Sequence, residues 1–262
     1  MKHNSILTSA FLTAVSAHAL QPGDIAIVGW KDNGSPDEFA FVTLAPLAAG
    51  QNVYFTDNGY AYPTALGGFR GASATDGNGA EGLLKFTAVQ NIAAGLIIRS
   101  TDTGSAFVWT SSGSVPGTSS GTFGALSLAT AGDQIYAFTG TDNIPLFNPE
   151  AFLFVLDDTG GFENSDDTQT GDLPPGITLG RDGVSFDQNG ASQNVMSFKT
   201  ESLFAGSKDE WLLAIANEGN WTFGSADGLP SGNLVVVAEP QTWMLAIVGG
   251  ITALAMRPRR KP

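Results

Sequence analysis

Carboxylates are the only acid–base groups that the body of this chain can bring together. Cys is absent, and both His residues, His3 and His18, fall within the first 19 positions. Residues 20–237 therefore contain neither imidazole nor thiol. That excludes Ser-His-Asp and Cys-His catalysis, His- or thiolate-bound zinc, and disulfides. Two acidic pairs remain, Asp157-Asp158 and Asp166-Asp167, on either side of Gly160-Gly161. A retaining glycosidase needs two carboxyls about 5 Å apart, one with its pKa raised by burial. Adjacent Asp residues in a Gly-rich loop read instead as solvated, so a carboxylate-based glycosidase is a remote alternative.

Calcium suits these loops better than acid catalysis. Asp76-Gly77-Asn78-Gly79-Ala80-Glu81 places the oxygens of Asp76, Asn78 and Glu81 along a flexible loop. Asp157, Asp158, Asp166 and Asp167 form a second acidic group. Ca²⁺ takes six to eight hard oxygens, and neither group needs His or Cys to supply them. The full twelve-residue calcium-loop signature is missing. A structural Ca²⁺ site is thus the one cofactor the residues suggest, against ordinary polar turns.

Aromatic rings offer a third chemistry, stacking on sugars. The candidates are Trp30, Tyr54, Tyr60, Tyr62, Trp109 and Trp221. Tyr60 and Tyr62 lie in a Pro-containing loop, where exposed rings are expected. Tyr54 and Trp109 fall in apolar runs and are expected in the core. Net charge is −13, and residues 20–237 carry 24 acidic against 7 basic side chains, or −17. A field of that sign favours solubility and divalent cations, and disfavours nucleic acid and anionic lipid.

The elements that must position these groups are mostly strands. Charged residues make up only 14% of the chain and Gly numbers 33, a balance that implies many turns and few surface helices. Short apolar, β-branched or aromatic runs occupy 25–30, 38–44, 52–56, 83–87, 96–101, 106–110, 134–139, 151–156 and 194–198. Asn33-Gly34 and Asn58-Gly59 are turn signals. One helix is expected late, with Ser207 as cap, Asp209 and Glu210 in its first turn, and Trp211, Leu212 and Ile215 on one face. The expected fold is all-β, an antiparallel β-sandwich with one short late helix. A weak echo also runs through the chain: Ala48-Ala49-Gly50 with Thr56-Asp57, then Ala93-Ala94-Gly95 with Thr101-Asp102. Ala131-Gly132 is a looser third copy. It reads equally as duplication or as ordinary turn–strand–turn chemistry.

The two ends carry targeting signals. Lys2 and His3, an apolar run from Ile6 to Val15, and Ala17-His18-Ala19 have the order of a secretory signal peptide over 1–19, cut by signal peptidase after Ala19. At the other end, Trp243 to Met256 holds no charge and is followed by Arg257, Arg259, Arg260 and Lys261. That pattern reads as a membrane segment over 243–256 with its basic end in the cytoplasm.

The C-terminal residues resemble a PEP-CTERM sorting domain over 238–262. Glu239-Pro240, a short spacer, the apolar run led by Trp243, and the basic end match that family, with Ala238 in place of its first Pro. The resemblance implies handling by an exosortase-like membrane protease, with Glu239, Pro240, Trp243, Arg257, Arg259 and Arg260 as recognition residues. It also implies an inner-membrane intermediate, then a place in the cell envelope or outside the cell, in bacteria that make exopolysaccharide. Gly23-Asp24-Ile25 and the run Tyr54 to Gly59 resemble lamin-tail-like and other Ig-like extracellular modules. The expected protein is an exported structural or adhesion-type domain, residues 20–237, without catalysis. A carbohydrate-binding module working on polysaccharide is the alternative.

Overall fold

A computed structural model describes residues 18–32, 37–61, 68–69, 82–102, 107–112, 116–119, 126–129, 132–141, 149–158, 160–162, 171–186, 195–224 and 228–238. Fourteen strands are present in chain order among these residues. They are β1 (Ile25–Lys31), β2 (Glu38–Thr43), β3 (Asn52–Thr56), β4 (Tyr60–Ala61), β5 (Gly68–Phe69), β6 (Leu83–Ala88) and β7 (Ile97–Asp102). There follow β8 (Phe107–Thr110), β9 (Gly117–Ser119), β10 (Gln134–Gly140), β11 (Pro149–Asp157), β12 (Gly183–Ser185), β13 (Val195–Phe198) and β14 (Trp221–Phe223). One α-helix, α1 (Lys208–Ile215), precedes β14.

Two six-stranded sheets form an all-β sandwich. The first has the order β14-β13-β1-β2-β7-β8 and the second β12-β11-β10-β3-β6-β9. Aromatic rings interlock between them. Phe39 and Phe41 of the first sheet meet Phe55 of the second at 4.9 Å, and Trp109 of β8 meets Phe86 of β6 edge-on at 5.3 Å. Such tilted and edge contacts add to simple area burial.

The pairing is not wholly antiparallel as expected. β11 and β12 run parallel, with Val155 opposite Gly183 and Asp157 opposite Ser185. The second sheet is also buried on both faces. A second apolar cluster, including Tyr54, Tyr60, Phe69, Tyr136, Phe138 and Phe152, packs on its outer face. This is why β10 reads as a nearly continuous buried run rather than an alternating one.

The helix forms where the sequence places it. Ser207 Oγ accepts from the Glu210 amide and the Glu210 side chain accepts from the Ser207 amide, a complete capping box. Trp211, Leu212 and Ile215 are buried against the main core. The echoed glycines also share a geometry. Gly50, Gly95 and Gly132 all have positive φ, and each stands two residues before a strand, β3, β7 and β10. The segments leading into the first two turns pair with each other, Leu47 and Ile92 exchanging amide–carbonyl bonds of 2.9 and 2.8 Å.

Among the described residues no helix is long and apolar enough to cross a membrane. Ala17 and the rest of 1–17, and the sorting residues Glu239, Pro240, Trp243, Arg257, Arg259 and Arg260, lie outside the described residues. Ala19 is exposed, and the next residue, Leu20, is buried in the core.

Candidate functional site

Five aspartates gather at one end of the sandwich, and strand alternation puts them there. Side chains on a strand alternate between faces, so a residue two positions from an inward apolar one also points inward. Asp32 follows core residue Trp30, Asp57 follows Phe55, and Asp158 follows Leu156 at strand C-termini. Asp37 precedes Phe39 and Asp133 precedes Ile135 at strand N-termini. All five lie at the same end because β1, β3 and β11 finish where β2 and β10 begin.

Three of these carboxylates hold a strap. Ser127, Leu128 and Ala129 present successive backbone amides to three different strands. The Ser127 amide donates to Asp57 Oδ2 (2.5 Å), that of Leu128 to Asp37 Oδ2 (2.9 Å) and that of Ala129 to Asp133 Oδ2 (3.0 Å). Asp37 belongs to the first sheet and the other two to the second, so the strap ties the layers together. Leu126 and Leu128 bury their side chains in the inter-sheet core beneath it. Asp57 also accepts from the Gly82 amide (2.7 Å), and Asp133 Oδ1 accepts from the Gln134 amide (2.9 Å). A carboxylate replaces the missing sheet neighbour for each amide, and charge makes these bonds stronger than amide–carbonyl ones.

Asp157 and Asp158 are not the solvated loop pair expected from the sequence. Both are buried at the end of β11 and face opposite ways. Asp157 Oδ2 accepts from Ser185 Oγ (2.6 Å) and the Gly161 amide (3.1 Å). Asp158 Oδ1 accepts from the Asp133 amide (2.6 Å). Two carboxyls on opposite faces of one strand cannot flank a single glycosidic bond. Asp166, Asp167, Asp76, Asn78 and Glu81 lie outside the described residues.

Burial shifts the carboxyls of Asp158 and Asp32. Burial pushes the Asp158 carboxyl up to about 7; the Asp133 amide pulls the other way, and the charges of Asp157 and Asp32 add to the rise. Burial also raises the Asp32 pKa, and the Trp30 indole beside it eases the shift without closing a hydrogen bond of good geometry. Among the described residues no group of three or more acidic, His or Cys side chains converges as a metal-ligating set.

The aromatic candidates do not form a sugar platform. Trp30, Tyr54, Trp109 and Trp221 are buried, and so is Tyr60, contrary to the exposed ring expected of its loop. Tyr60 packs edge-on against Phe152 at 4.8 Å and Phe69 at 5.6 Å on the outer face of the second sheet. Tyr62 lies outside the described residues. At the opposite end of the sandwich, a shallow groove of about 350 Å³ lined by Gln90 to Ala94, Leu96 and Asn233 holds no titratable side chain.

The sequence reading missed Asp32, Asp37, Asp57 and Asp133. Their signal was present: an Asp two residues from an inward apolar residue, repeated at five strand ends. No protein-family model matches the chain, and neither a curated protein nor a solved structure matches it significantly.

Proposed function

We propose that this chain is an exported, non-catalytic β-sandwich of structural or adhesion type, an Ig-like or lamin-tail-like module of the cell envelope. It is delivered through the signal peptide 1–19 and held at a membrane by 243–256. An exosortase-like protease then acts on the PEP-CTERM-like motif. The observation that carries the reading is an exposed apolar patch where the described chain approaches its end. Phe204 is 97% exposed. The Gly206 amide donates to the Val235 carbonyl (3.0 Å) and the Val237 amide to the Gly206 carbonyl (2.9 Å), which brings Val235 and Val237, both exposed, beside this segment. Val237 stands six residues before Trp243, where the uncharged run begins. An isolated apolar side chain on a surface is ordinary, but a cluster at the root of an apolar segment suits the headgroup boundary of a bilayer.

Two further features support the non-catalytic part. The strap aspartates serve backbone amides, and Asp157 and Asp158 face apart. Ala19, exposed ahead of buried Leu20, suits a mature chain that starts at Leu20. The carbohydrate-binding alternative rests on Tyr62 and on loops outside the described residues, because the five other aromatic candidates are buried. A glycan array probed with the exported protein separates the two. The structural reading expects no retained sugar, and a defined polysaccharide ligand would replace it with the module.

A further inference from the structure

We propose that Asp32 and Asp158 together bind a divalent cation of the calcium type at the strap end of the sandwich. Asp32 is 4% exposed, and among the described residues no hydrogen-bond donor satisfies either of its carboxylate oxygens. It projects from the end of β1 on the face of core residue Trp30, toward the inter-sheet space at the β11 end. Asp158 projects from the end of β11 in the other sheet, on the face of core residue Leu156. Asp158 is buried as well and uses Oδ1 for the Asp133 amide. Among the described residues no basic side chain pairs with either of the two. Lys31 turns to the opposite face and pairs with Glu38 at 3.0 Å, and Arg181 pairs with Asp182 and Asp209.

A buried carboxylate without donor or counter-charge is among the costliest arrangements a fold can hold. The other aspartates of this end show how the fold normally avoids it, since Asp37, Asp57 and Asp133 each accept backbone amides. Asp32 is the exception, and it stands at the same end of the sandwich as the buried carboxylate of Asp158. A proton on Asp158 would relieve the repulsion but leave both Asp32 oxygens without a partner. A cation satisfies both groups at once. The donors are oxygens only, and the body has no His or Cys, so soft metals are disfavoured. Ca²⁺ tolerates irregular mixtures of carboxylate, carbonyl and water oxygens, whereas Mg²⁺ demands a regular octahedron. Two carboxylates supply up to four oxygens, and carbonyls or water complete the shell. This site shares Asp158 with the second acidic group suggested by sequence but joins it to Asp32 rather than to Asp157, Asp166 and Asp167, and it does not depend on the envelope reading.

The test is thermal unfolding of the full-length chain, stripped with chelator, in CaCl₂ and in NaCl of matched ionic strength. Ca²⁺ at a hundredfold excess over its dissociation constant should raise the midpoint by about 5–10 °C beyond NaCl. Asp32→Asn removes the repulsion. It should therefore unfold at a higher temperature than the wild type in chelator and lose the Ca²⁺ increment. Asp158→Asn, whose carboxamide oxygen can still accept the Asp133 amide, should lose the increment as well. Calorimetric titration with CaCl₂ should give one site in the wild type and none in either variant. An equal response to both salts would overturn the proposal. So would an undiminished Ca²⁺ increment in Asp32→Asn, which would place any binding elsewhere on the acidic surface.

Discussion

Asp57 shows how a buried acid can be structural. Its two oxygens accept from Gly82 on one side and Ser127 on the other, so Asp57→Ala strands a buried amide and a half-buried one at once. The expected loss is about 3–5 kcal/mol, read as a shift of the urea midpoint at unchanged slope. Asp158 makes the opposite prediction, about pH. In the unfolded chain its carboxyl titrates near 3.9, and in the fold it holds its proton up to about 7. Between those values the folded state binds more protons. Stability from this group is thus complete below about pH 4 and is lost as pH rises toward 7. In chelator, the melting temperature of Asp158→Asn should fall less than that of the wild type over this range. A parallel fall in both would assign the pH dependence to other groups. The strap end was only partly legible in the sequence. Asp157 and Asp158 stood out because they are adjacent, yet adjacency on a strand separates side chains. Asp32, Asp37, Asp57 and Asp133 drew no notice because each looks like an ordinary turn acid until the strand ends are set side by side.

The turn glycines provide the element-scale test. Gly50 and Gly95 occupy the same place in the echoed unit, with φ of +86° and +97°. Around Gly50 a Cβ would meet nothing within 4 Å, whereas at Gly95 it would lie 2.1 Å from the Leu234 carbonyl oxygen. Gly50→Ala should therefore carry only the backbone strain, about 1–2 kcal/mol. Gly95→Ala should lose clearly more, because the 233–234 segment must move away. Equal urea midpoints for the two variants would contradict this. Ser207→Ala, which breaks the capping box of α1, should lose about 1 kcal/mol in the same measurement. At this scale much of the sequence was readable. Nine apolar runs fall on β1, β2, β3, β6, β7, β8, β10, β11 and β13, and α1 begins at its expected cap. The three-residue strands β9, β12 and β14 were not readable, since three residues show no alternation. The parallel β11–β12 pair depends on a partner 28 residues away and leaves no local sign. Tyr60 misled because a Pro-containing loop normally exposes its rings; here the Tyr60 ring packs on the outer face of the second sheet.

At the scale of the whole molecule, an acidic body of net charge −17 is followed by an uncharged run and a basic end. Without Cys, the fold has no disulfide to close it. It depends instead on the inter-sheet aromatic core and on the aspartate strap that joins the layers. The charge contrast fits a domain kept soluble by its own field and tethered at one point, where Phe204, Val235 and Val237 are exposed. Acidic surfaces avoid anionic lipid, so in the proposed envelope reading the apolar patch and the C-terminal run supply the attachment. The most direct test is fractionation of cells that express either the full-length chain or a chain ending at Ala238. The full-length chain should be found with the membrane and envelope, and the shortened chain should be released in soluble form. Identical distribution of the two would contradict the account.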